Sequence, residues 1–134
     1  MATTTATITL NSADLLSDEL SLSTTATLTQ AANSTGLTQA SGLGRKKLAS
    51  GHAQYTLFDG SDYTADKAHK LFLKNTSTTA DEYFAIDINS ERMGKLYAGD
   101  WAFFPWDANA ASNDIKIDPS AANMVLEYML FIDE

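Results

Sequence analysis

Polar and apolar residues alternate with a period of two along most of this chain, the repeat that sends successive side chains to opposite faces of a strand. Ala6, Ile8 and Leu10 share one face, and Thr3, Thr5, Thr7 and Thr9 share the other. Leu20, Leu22, Ala26 and Leu28 repeat the pattern against Ser21, Ser23, Thr25, Thr27 and Thr29. Threonine is β-branched and suits the exposed face of a strand, so both segments read as half-buried strands. Between them, Ser12 to Leu20 is the one helical competitor, capped by Asn11 or Ser12, but it is barely two turns long, so a single turn at most is expected.

From Ala31 to Gly51 the alternation stops. Ser34 to Gly44 is rich in loop formers, which predicts a long loop over 31–51 with a short helical turn near Arg45 to Leu48. Loops of this length serve as contact arms or as mobile crossovers, and the sequence leaves both open. Strand signals resume at Tyr55 to Phe58, pass a turn cluster at Asp59 to Asp62, and continue through Leu71-Phe72-Leu73. Phe84, Ile86 and Ile88 alternate with Ala85, Asp87 and Asn89, and Gly94 and Gly99 punctuate the runs that follow. Ile115 and Ile117 then face opposite Asp114, Lys116 and Asp118 until Pro119 interrupts. The last run, Met124 to Ile132, is apolar on both faces apart from Glu127 and reads as a strand buried on two sides, either inside a sandwich or beneath a neighbouring subunit. The sum is about eight or nine short strands with no amphipathic helix, the pattern of an all-β sandwich or a jelly-roll-like barrel.

At 134 residues the chain is sized for one domain over 1–134, and its 44% hydrophobic fraction suits a folded core. A net charge of -8 argues against nucleic acid and anionic membrane surfaces as partners. The Thr-rich start has neither a basic nor an apolar leader region, and no segment is apolar enough to span a bilayer as a helix, so a soluble, unexported protein is expected. Without cysteine there are no disulfides, thiolate metal sites or cysteine nucleophiles.

Little in the sequence points to chemistry. His52 and His69 lack a second ligand at metal spacing and a neighbouring Ser or Asp pattern for a triad. No phosphate loop, nucleophile elbow or dinucleotide fingerprint occurs, so neither an enzyme nor a cofactor is expected. Asp59, Asp62 and Asp66 crowd one stretch, but their spacing is not that of a calcium loop and Asp favours turns for its own hydrogen bonding. Arg45, Lys46 and Lys47 form the one basic run in an acidic chain and read either as a solvated surface or as a docking patch for an acidic partner.

The cluster Trp101-Ala102-Phe103-Phe104-Pro105-Trp106 is the remaining candidate. Alternation sends Trp101 and Phe103 to one face and Phe104 to the other, so a large aromatic must find cover on the second side. Core packing, an exposed recognition surface, and a sugar-binding platform built on Trp101 and Trp106 all use these residue types. In an oligomer the first two merge, because aromatics concentrate at interface centres. Together with the two-sided strand 124–132, the cluster predicts a homo-oligomer.

In its second half, over Lys67 to Glu134, the chain resembles small structural proteins of tailed bacteriophages, especially phages of cyanobacteria and other aquatic bacteria. The resemblance rests on Lys70-Leu71-Phe72-Leu73-Lys74-Asn75-Thr76-Ser77, Tyr83 to Ile88, Lys95-Leu96-Tyr97-Ala98-Gly99-Asp100-Trp101, and Leu126-Glu127-Tyr128-Met129-Leu130-Phe131. It implies a virion component with no catalytic residues. The first expectation is a trimeric decoration or cement protein on the outer capsid, assembled in the host cytoplasm and bound to the major capsid protein. A tail, neck or fibre subunit is the alternative, and a carbohydrate-binding module is the reading from another class.

Overall fold

The computed structural model describes residues 3–15, 17–37, 39–109 and 112–134, and all regular structure in it apart from one short 3-10 turn is strand. The chain divides into two compact units, Met1–Thr38 and Gln39–Glu134, where the sequence reads one domain. The physical reason lies in pairing, which alternation does not specify: the first two strands pair with each other in a sheet of their own.

In the first unit β1 (Thr4–Ser12) and β2 (Leu20–Leu28) form an antiparallel hairpin in unbroken register, from Thr4 opposite Leu28 to Ser12 opposite Leu20. Register places Ala6, Ile8 and Leu10 on one face with Ala26, Leu22 and Leu20. The other face is a ladder of hydroxyls, with Thr7 and Thr25 Oγ1 atoms 2.7 Å apart and Thr9 and Ser23 3.4 Å apart. At the tip the described residues form no helical turn; instead the Ser12 hydroxyl accepts from the amides of Asp14 and Leu15.

The second unit holds β3 (Gln39–Ala40), β4 (Gly44–Leu48), β5 (Tyr55–Phe58), β6 (His69–Asn75), β7 (Tyr83–Ile88), β8 (Glu91–Tyr97), β9 (Trp101–Trp106), β10 (Ile115–Pro119) and β11 (Met124–Ile132). β11 runs between β6 on one side and β4 and β3 on the other, and β9 closes the far edge of that sheet beyond β6. The facing sheet has the order β5-β10-β7-β8. The pairs β4·β11, β5·β10, β6·β9 and β7·β8 are nested antiparallel partners, the arrangement of a long hairpin rolled into two sheets. This is the jelly-roll form of the β-sandwich. Its core lies between the sheets: Leu71, Leu73, Leu126 and Leu130 from the first meet Phe84, Ile86, Ile115 and Ile117 from the second.

The expected loop over 31–51 is corrected in its second half. Arg45, Lys46 and Lys47 lie in β4, paired in that order with Glu127, Leu126 and Val125 of β11, and no helical turn forms there. The strand was hidden because Gly44-Arg45-Lys46-Lys47-Leu48 carries one apolar residue, the buried Leu48. Gly44 belongs to the packing, since a Cβ there would come within 2.7 Å of the Tyr128 ring. β11 likewise departs from two-sided burial. Met124, Leu126 and Leu130 are buried, whereas Val125, Glu127, Met129 and Phe131 are only partly covered.

Candidate docking face of the sandwich

The two outer faces of the sandwich differ in kind. On the β5-β10-β7-β8 sheet the outward side is polar and internally paired. Asp87, 3% exposed, accepts from Arg92 Nε at 2.7 Å and from Gln54 Nε2 at 2.9 Å, and Arg92 also lies 3.9 Å from Asp118. The Arg92 hydrogen bond, supported by the one from Gln54, holds the Asp87 carboxyl below the usual carboxylate range against the opposing effect of burial. Lys95 sits over the Tyr83 ring at 4.1 Å, and Tyr83 stacks on Tyr97 across the hairpin. Apart from the buried Asp118 Oδ1, which has no hydrogen-bond partner among the described residues, the charges of this surface are met within it.

The outward side of the other sheet is largely apolar. Register puts Trp101, Phe103 and Pro105 of β9 beside Lys74, Phe72 and Lys70 of β6. Phe72 and Lys74 stand next to Met129 and Glu127 of β11, and Glu127 and Val125 next to Arg45 and Lys47 of β4. Phe103 and Phe131 meet edge to face with centroids 6.1 Å apart. Trp101 keeps 50% of its surface exposed. Arg45 bonds Glu127 at 3.0 Å with its own side chain 70% exposed, a pairing of small energetic weight at a surface. Lys70 donates to the Ala68 carbonyl, and partial burial lowers its pKa while nearby Asp133 opposes that shift. This face therefore gathers Arg45, Lys47, Lys70 and Lys74 beside Glu127, with Asp133 close to Lys70, in a chain of net charge -8.

The sequence candidates divide accordingly. Arg45, Lys47, Trp101 and Phe103 converge on this face. Lys46 does not: it points to the opposite side of β4, with Nζ 4.7 Å from the centre of the Tyr55 ring. Phe104 is partly buried against the core, and Trp106 is 3% exposed, so both point away from this face. Trp106 donates from Nε1 to the Asn113 carbonyl at 2.7 Å and packs with Phe58, Tyr63 and His69 at one end of the core. A sugar platform made of Trp101 and Trp106 therefore does not form. Lys70, Phe72, Lys74, Met129 and Phe131 were missed as members of the face, although Phe72 between two lysines in the outward phase of β6 was the available signal.

The remaining polar clusters do structural work. Buried His69 makes hydrogen bonds through Nε2 to the Thr64 carbonyl and through Nδ1 to the Asp133 amide. The second bond makes Nδ1 the acceptor and places the proton on Nε2. Asp59 caps the 3-10 turn Gly60–Asp62, and its pKa is lowered by the Ser61 hydroxyl and amide. Asn75, fully buried, donates to the Glu82 and Leu96 carbonyls at 3.2 and 3.0 Å and accepts from the Ser77 amide at 2.9 Å. Its backbone receives the Gly99 amide and donates to the Asp100 carbonyl. The segments Lys74-Asn75-Thr76-Ser77 and Ala98-Gly99-Asp100 thus meet in one corner that ties β6, β8 and β9. Among the described residues no cluster of His, Cys, Asp or Glu is arranged to hold a metal ion, and no helix is long and apolar enough to cross a membrane.

Comparison with protein-family models, curated proteins and solved structures finds no match to this chain.

Proposed function

We propose that this chain is a non-catalytic structural subunit of a tailed-phage particle, a decoration or cement protein whose aromatic, basic sheet face makes its contact in the assembly. The observation that carries the reading is the asymmetry of the sandwich. One outer face pairs its charges internally, while the other presents Trp101, Phe103, Phe72 and Phe131 within a rim of Arg45, Lys47 and Lys74. Aromatic side chains inside a charged rim are the usual composition of a protein contact, and the rim of this one favours an acidic neighbour in the assembly. The resemblance of Lys67 to Glu134 to phage structural proteins supports the virion setting, which the jelly roll accommodates without requiring it, since lectin domains share that fold. Loss of the paired tryptophan platform counts against the lectin reading.

Attachment to the outer shell would stabilise particles by mass action, because the subunit binds the assembled state alone. Purified protein added to particles that lack it is expected to raise their disruption temperature. The variant R45E/K47E/K74E is expected to be retained less, with the greatest difference at low salt. Localisation to tails or fibres, or particles that neither bind the protein nor gain stability, would overturn the decoration role.

A further inference from the structure

The hairpin of the first unit presents an apolar face that it does not cover itself. Leu10 and Leu22 lie opposite each other in β1 and β2 and remain 48% and 46% exposed, and Leu15 at the tip is 70% exposed. An isolated two-stranded hairpin is marginal in water, so this face gains from being packed against another surface. Charge narrows what that surface is. The first 38 residues contain Asp14, Asp18 and Glu19 and no lysine or arginine, and all three acids lie in the connection between Ser12 and Leu20. The aromatic sheet face of the second unit has the opposite character, with Arg45, Lys47, Lys70 and Lys74 around Trp101 and Phe103.

We infer that the hairpin Thr4–Leu28 of one copy docks on the aromatic, basic sheet face of a second copy, joining copies head to tail. Leu10, Leu15 and Leu22 supply the apolar contact, and Asp14, Asp18 and Glu19 meet the cationic rim. Every copy carries both the acidic hairpin tip and the cationic face, so a second copy offers the complementary surface in equal number. A head-to-tail contact is heterologous, so it closes into a ring when the rotation permits and otherwise extends. The inference rests on the reading of that face as a docking surface, and it names a second copy as the occupant.

Sedimentation velocity of the full chain at low salt tests it through charge exchange. The wild type is expected to sediment as an oligomer. D14K/D18K/E19K and R45E/K47E/K74E are each expected to shift to monomer, and the protein carrying all six changes to recover the oligomer. A six-fold variant that stays monomeric with a native strand spectrum, a wild type that is monomeric, or an oligomer indifferent to both reversals would overturn the inference. The chain has no cysteine, which permits a second measurement independent of those folds. Mixed S17C and P105C proteins, changed at exposed positions of the hairpin tip and of the outward side of β9, are expected to give a crosslinked heterodimer with a short bis-maleimide, and its absence counts against docking. A monomeric protein that still binds particles, and loses that binding in R45E/K47E/K74E, would refute the hairpin as occupant and leave the proposed function standing. An oligomer that follows charge exchange but ignores particles would do the reverse.

Discussion

At the residue scale, alternation assigns faces well and leaves their surroundings undefined. It places Trp101 and Phe103 on one side of β9 and Phe104 on the other, and the structure agrees on all three. What it lacks is knowledge of which side meets a second sheet, so Trp106 reads as a surface candidate although it is 3% exposed. The two tryptophans should therefore behave oppositely. Trp106→Ala removes a buried ring and its hydrogen bond to Asn113, and is expected to cost about 3–5 kcal/mol in chemical denaturation. Trp101→Ala should change stability by less than about 1 kcal/mol while weakening assembly. Asn75→Ala leaves the Glu82 and Leu96 carbonyls and the Ser77 amide without their partner, at an expected cost of about 2–4 kcal/mol. Asp87 carries the pH dependence. Its folded pKa is depressed by Arg92, so its contribution is present above the unfolded carboxylate value of about 4 and is lost as pH falls through the lower folded value. The denaturation midpoint of the wild type should fall on acidification below about pH 4, and that of Asp87→Asn should fall less, from a lower starting point.

At the element scale, strands with a strong apolar phase were legible and the edge strand was not. β6, β7, β10 and β11 announce themselves through Leu71 and Leu73, Phe84 and Ile86, Ile115 and Ile117, and Leu126 and Leu130. β4 carries three cations in five residues and exists as a strand because β11 offers it a free edge for backbone pairing. Basic residues also suit an edge, where they discourage pairing with further strands. Gly44→Val should drive its side chain into the Tyr128 ring, lower stability by about 1–3 kcal/mol, and loosen β4 first. Amide exchange that quickens in residues 44–48 ahead of β6 and β9 would check this; uniform quickening would contradict it. The hairpin of β1 and β2 shows the complementary limit. Its strands follow from alternation, but nothing in a Thr/Ala pattern says that they pair with each other and form a unit apart from the sandwich.

At the scale of the whole molecule, the chain is acidic while the one apolar outer sheet face is rimmed by cations, and that distribution rather than the fold carries the functional account. A composition-level reading of net charge averages away a local patch of the opposite sign. The cations were visible in the sequence; their convergence was not, because Arg45, Lys74 and Trp101 come from three strands joined through β6 and β11. The central claim is that assembly covers this face. Hydroxyl-radical footprinting of the charge-reversed monomer R45E/K47E/K74E and of the wild-type protein assembled on particles measures that coverage at Trp101, with buried Trp106 as the internal reference. The account predicts that Trp101 reacts readily in the monomer and is strongly protected in the assembled wild type, while Trp106 reacts slowly in both. Equal reactivity of Trp101 in the monomer and in the assembled protein would contradict it.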